Sequence, residues 1–212
     1  MDALRTVLLG LPMTLVVTAG ALATGTVLAI PLTLGLELRR GPVWFVCRAV
    51  VDLVRGVPPV AWLFILFYGI SVGAVQLSAL AAGIGALGIV ASAYLAEIFR
   101  GSLKSIHFGQ AEAATALGLS GRSTWLDVIG PQAWRTALPA YTNYAIALLK
   151  DSSIVSIVGV AEMVSRSGQL SRSSDLGIFV FVLAGAMYVV LSILLASGSR
   201  ALHRRLRQAV AA

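Results

Sequence analysis

Lys150 and Asp151 stand side by side, followed by Ser152 and Ser153, about midway along 136–161, a segment that is otherwise apolar. A charge held at that depth in a bilayer costs roughly 2.5–3.5 kcal/mol on insertion scales, so it normally faces a cavity or a partner. An ammonium, a carboxylate and neighbouring hydroxyls can bind a polar solute. They can equally neutralise groups on adjacent helices and lock a helix break. Asn143 and Tyr144, one to two turns earlier, are candidates for the same surface. Bond-making chemistry has less to stand on. His107 and His203 lie near no metal-ligand cluster, and the single cysteine, Cys47, excludes an intrachain disulfide and a cysteine-rich metal site. Cys47 reads as a small packing residue. The chain contains no G-x-x-x-x-G-K-[ST] phosphate loop, and its few reactive groups do not form a catalytic set.

The elements that must position these residues belong to lipid. Of 212 residues, 58% are hydrophobic and 12% charged, with a mean hydropathy of +0.90. A soluble domain carries about a quarter of its residues charged, so this chain lacks the polar surface to cover a water-soluble core. The net charge of +7 does not point to nucleic acid, because the basic residues flank long apolar runs, the pattern of a membrane protein's cytoplasmic face. The length suits a single domain, 1–212.

A spanning helix needs roughly 20 apolar residues. Candidate spans are 8–36, 56–73, 78–99, 136–161 and 176–199. The second and third share one long uncharged run, with a turn marked by Gly69, Gly73, Gln76 and Ser78. Pro12 and Pro31 fall near the ends of the first span; Ala21-Leu22-Ala23 resembles a signal cleavage site, but Asp2 and Arg5 leave no basic n-region, so an uncleaved span is expected. The expected architecture is an all-α membrane protein of about five transmembrane helices. Arg39, Arg40, Arg48, Arg100, Lys104, Arg122, Arg135, Arg200, Arg204, Arg205 and Arg207 then share one side, against Arg5, Arg166 and Arg172 on the other. That imbalance predicts an N-terminus outside and a C-terminus in the cytoplasm. Small residues four apart, such as Ala21 and Gly25, or Gly69 and Gly73, and the cluster Gly83, Gly85 and Gly88 predict close helix packing. Other charges have ordinary readings. Glu97 pairs with Arg100 or Lys104, Asp52 pairs with Arg55, and Glu162, Arg166 and Arg172 lie in an outer polar loop.

The segment 100–135 is too polar to span. It reads as two short helices. The first covers 108–117 and carries Ala111, Ala113, Ala114 and Ala116; Gly118 ends it, because glycine accepts the left-handed conformation of a helix stop. Ser120 caps the second, which places Trp125, Leu126 and Ile129 on one side, leaves Arg122 and Asp127 wet, and stops at Pro131. An amphipathic loop lying on the headgroups would show the same pattern.

Glu112-Ala113-Ala114, Gly118, and Val128-Ile129-Gly130-Pro131 at their spacing resemble the EAA loop of ABC importer permeases. Ala93 to Gly101, Gly109 to Ala114, Pro131 to Arg135, Asn143 and Leu148 to Ser153 resemble the polar amino-acid uptake branch of those permeases, as does Arg55-Gly56-Val57-Pro58. The resemblance covers nearly the whole chain. One departure is Gly130, where the family usually has leucine.

The resemblance implies a multi-pass permease of the bacterial inner membrane that binds no cofactor of its own. A separate pair of ATPase subunits would carry Mg-ATP. A second permease subunit, identical or paralogous, would complete the pathway, and an extracytoplasmic solute-binding protein would deliver the substrate. Glu112, Ala113, Ala114, Leu117 and Gly118 would couple to the ATPase. Asn143, Lys150, Asp151, Ser152 and Ser153 would line the pathway, Lys150 attracting an amino acid's carboxylate and Asp151 its ammonium. The alternative is a self-powered secondary transporter or channel for a small polar solute. It would need coupling-ion carboxylates within its spans, for which Asp151 is the only fair candidate.

Overall fold

The computed structural model describes residues 3–69 and 77–211, with the side chains of 202–211 excepted. The turn expected at Gly73 and Gln76 lies outside the described residues, as do the side chains of His203, Arg204, Arg205 and Arg207. The elements are α1 (Ala3–Leu8), α2 (Leu11–Glu37), α3 (Pro42–Gly56), α4 (Pro59–Phe64) with a π turn Ile65–Gly69, and α5 (Ala79–Lys104). Then come α6 (Gly109–Ala116), α7 (Gly121–Ser123) with a π turn Thr124–Ile129, α8 (Gly130–Asp151) with a 3-10 extension Ser152–Val158, α9 (Met163–Ser173) and α10 (Phe179–Ala211). There is no strand among the described residues. Three helical stretches are singly long and apolar enough to cross a bilayer, Ala3–Glu37, Ala79–Lys104 and Phe179–Ala201; two bent pairs bring the number to as many as five.

The centre of the bundle is α5, packed along its length by α2. Small residues make this possible. A side chain at position 25 would overlap the Ala91 methyl, and one at position 88 would meet Thr24 at 3.0 Å. The small-residue spacing therefore serves packing within this chain. Val17, Ala21, Leu87, Ala91 and Leu95 form the buried seam. Helix α8 packs on α5 and also reaches α2, where the Thr26 and Tyr141 hydroxyls are 3.0 Å apart.

Three local expectations do not hold, and one helix was not expected. The stretch after Glu37 contains the unexpected helix α3, amphipathic, with Val51 and Val54 buried and Phe45 and Leu53 outward. The α4–π segment lies within the span expected over 56–73, and it meets α3 at 101° where that span begins. Consecutive prolines at 58 and 59 explain the bend, because Val57 and Pro58 are forced into extended conformations.

The Asp52–Arg55 pair does not form. Arg48 takes Asp52 at 2.8 Å and also Glu97 at 2.9 Å; Glu97 binds Arg100 at 2.6 Å as expected. Arg55 instead lies over the ring of Tyr94, 5.0 Å from its centroid.

Pro131 does not end the second short helix. Helix runs on from Gly121 through the π turn into α8, so the second arm of the hairpin is the root of the next membrane helix. Here Gly130 N–H donates to Trp125 O, five residues back. The wider register shifts the bonding pattern at the residue before a proline that has no N–H to give.

Glu162 is not in a solvated loop. It is fully buried and caps α9.

Candidate functional site

Two regions carry the candidate residues. The first is the hairpin between α5 and α8. Its first arm, α6, ends as the sequence requires. Gly118 has φ of +75°, Leu119 N–H donates to Ala114 O at 3.1 Å, and Gly118 N–H donates to Thr115 O at 2.9 Å. This pair of bonds is the Schellman closure, which needs a left-handed residue where glycine stands. Ser120 then caps the second arm, its hydroxyl accepting from Ser123 N–H at 3.1 Å. Gln132 reaches back to Gln110 at 3.0 Å and ties the arms together.

The hairpin separates its candidates by face. Ala114 is only 3% exposed; its helix packs against the hairpin's second arm, where Thr124 is also buried. Glu112, Ala113 and Gly118 are exposed, and Leu117 is 81% exposed. Phe108 is 71% and Leu126 61% exposed. The sequence placed Leu126 on one side of the second helix with Trp125 and Ile129, and did not single out Phe108. The signal for both is an apolar residue in a segment too polar to be membrane. Exposed apolar residues among polar ones suit contact with a protein partner or with a membrane surface.

The second region is α8 and its 3-10 extension. It sorts the pathway candidates into different directions. Asn143 and Lys150, seven residues apart and so on one face, line two cavities against α10, of about 360 Å³ and 630 Å³. Ser153 shares the larger with Lys150, Tyr188 and Ser192. Asp151 is turned about 100° from Lys150 and shares its face with Tyr144, seven residues earlier. Ser152 is fully buried and donates to Leu149 O at 2.7 Å, so its hydroxyl closes the helix end. Ser153 likewise donates to Lys150 O at 2.8 Å. Lys150 and Asp151 therefore do not converge on one ligand within this chain, and neither forms an ion pair among the described residues. No cluster of His, Cys, Asp and Glu suited to a metal occurs among them.

Residues 21–208 match the family described as the binding-protein-dependent transport system inner membrane component. The octopine transport system permease protein OccM of Rhizobium meliloti is 32% identical, the match covering 89% of this chain and 81% of the relative. The arginine transport system permease protein ArtQ of Bacillus subtilis is 30% identical, over 95% of this chain and 92% of the relative. An amino acid ABC transporter of known structure superposes with a TM-score of 0.85 at 29% identity, covering 95% of this chain and 94% of that one. The MetNI methionine ABC transporter in an inward-facing state has a TM-score of 0.80 at 21% identity over 97% and 99% of the two chains, a likeness of fold. With the fold, the hairpin and these matches together, the chain belongs to the inner-membrane permease subunits of binding-protein-dependent ABC transport systems.

Proposed function

We propose that this permease moves a polar amino acid inward. In this reading it pairs with a second permease subunit and is driven by two separate ATPase subunits that bind Mg-ATP, with substrate brought by an extracytoplasmic solute-binding protein. The N-terminus lies outside and the hairpin 100–135 in the cytoplasm. The observation that carries the reading is the hairpin's uncovered cap. Leu117, Phe108 and Leu126 are exposed apolar residues of the polar hairpin that also carries the exposed Glu112 and Ala113. Isolated, that surface is costly; seated in a groove on a soluble subunit it supplies binding. Glu112 and Ala113 form the contact edge, Leu117 is an anchor, and Gly118 and Ala114 hold the hairpin's shape.

The amino-acid assignment is supported by relatives whose names specify octopine, arginine and L-cystine transport. Asp151 would meet the substrate's ammonium. Lys150, with Asn143 and Ser153 on the stripe facing α10, would form the adjoining polar wall, and Ser152 holds the helix end between them. Co-expression with the cognate ATPase, pull-down, and ATP-dependent uptake in proteoliposomes test the reading. Co-purification with uptake of an amino acid is expected. Failure to bind any ATPase, together with uptake driven by an ion gradient alone, would favour a self-powered carrier instead.

A further inference from the structure

Arg55 has no carboxylate and no hydrogen-bond partner among the described residues, because Asp52 and Glu97 are held by Arg48 and Arg100. Its guanidinium sits 5.0 Å over the Tyr94 ring. Tyr94 precedes Arg100 by six residues on α5, which places it about 9 Å further from the hairpin end of the helix. An unpaired cation at that depth is costly unless it faces a polar cavity or a partner. The ring offsets part of the cost without using any N–H donor. The planar fork is therefore left intact, and that fork is the geometry that binds a carboxylate in bidentate fashion.

The surface continues from Arg55. Tyr94, 36% exposed, stacks on Tyr144 of α8, with centroids 5.5 Å apart and planes at 22°. Asp151 follows Tyr144 by seven residues on the same face of α8, about 10 Å further along the helix. One face of the chain thus runs from an acid, across two stacked phenol rings, to a base.

We propose that Arg55, held on the Tyr94 ring, binds the carboxylate of the transported amino acid on the hairpin side of the pathway. The ammonium and carboxylate share one carbon and cannot span the row together, so Asp151 meets the ammonium at a separate station at the other end, and the tyrosine pair is the surface the substrate crosses between the two. The proposal rests on the amino-acid permease reading above and adds to it the residue that recognises the substrate's carboxylate.

The test uses the nucleotide-free complex of this chain with its ATPase in lipid nanodiscs. Equilibrium binding is measured for L-arginine and L-glutamine, each against its α-carboxamide, which lacks the carboxylate. Wild type should prefer a free carboxylate by about tenfold, the worth of a charge-assisted bond. Arg55→Gln should abolish the preference, and Arg55→Lys should keep part of it. Tyr94→Phe should retain it, and Tyr94→Leu, which removes the ring beneath the guanidinium, should weaken it. Size-exclusion of each variant reports assembly. Absence of any preference in wild type overturns the proposal, as does its survival in Arg55→Gln. So does disassembly in Arg55→Gln with full preference in Tyr94→Leu, which would make Arg55 a pairing group for the second subunit. Uptake by the same wild-type complex separates the two readings: amino-acid uptake with no Arg55 effect leaves the permease reading standing and removes only this one.

Discussion

The hydroxyl of Tyr188 donates a 2.8 Å hydrogen bond to Glu162 Oε2, and Glu162 is a carboxylate with no exposed surface. The same side chain accepts from Val164 N–H at 2.9 Å and Ser165 N–H at 2.7 Å. Next to it, Met163 N–H donates to Thr14 Oγ1 at 3.3 Å. One acid therefore starts α9 and ties it to α10, and its neighbour ties α9 to α2. Removing the acid leaves its donors without an acceptor; removing the phenol hydroxyl leaves Glu162 with two of its three donors.

Unequal costs follow for the two partners. Tyr188→Phe should lower the stability of the purified protein by about 1 kcal/mol. Glu162→Leu should cost about 2–4 kcal/mol, since each buried unpaired group carries its own desolvation penalty. Thermal unfolding in detergent orders the two variants. Equal melting temperatures would mean that Glu162 is not the organising group.

At the hairpin, position decides the consequence. Ala113→Arg and Leu117→Arg alter exposed surface and should release the ATPase while the permease still inserts and folds. Ala114→Arg should disturb the hairpin itself, because that methyl is buried. Gly118→Val should strain a residue whose φ is +75°, at roughly 1–2 kcal/mol, whereas Gly118→Asn should be tolerated. Pull-down of the ATPase measures the first pair, and protease sensitivity of the hairpin the others. Normal capture by both arginine variants would remove the hairpin from the coupling role.

Topology is open to direct labelling. The eleven-to-three distribution of basic residues predicts that the hairpin is cytoplasmic. In a Cys47→Ala background, an impermeant thiol reagent outside the cell should reach a cysteine at Ser173 and not one at Ser120. Both positions are exposed in the fold. The reverse labelling pattern would invert the proposed orientation.

What the sequence made legible divides along physical lines. Gly118 and Ser120 were readable because a left-handed stop and an N-cap are local chemistry, set by a few consecutive residues. The α2–α5 seam was half readable: small residues announce close packing, but not that Gly25 would find Ala91 of the same chain. Pro131 misled, because the π turn that accommodates it depends on the register of preceding hydrogen bonds, which composition does not encode. Glu162 misled for another reason. Its burial depends on Tyr188, 26 residues away on a different helix. Arg55 was given an ordinary partner three residues off, but Arg48, four residues before Asp52 on the same helix, takes it, and only the packing of α3 against α5 sets Arg55 over Tyr94.

The separation of Lys150 from Asp151 gives the sharpest test of the pathway. Adjacent residues on a helix point about 100° apart. Lys150 faces the 630 Å³ cavity against α10, and Asp151 shares its face with Tyr144 instead. If Asp151 meets the substrate's ammonium, Asp151→Asn should cut uptake by about tenfold or more, since it removes one charged partner of a desolvated ligand. Lys150→Met keeps the length and apolar stem of the side chain and removes only its charge. It should reduce uptake while the complex still assembles, because no ion pair within the described chain depends on that ammonium. The double variant should lose more than either single one if both groups touch the substrate in turn. Initial rates in proteoliposomes, corrected for the amount of assembled complex, give the comparison. Normal rates in both single variants would make the pair structural.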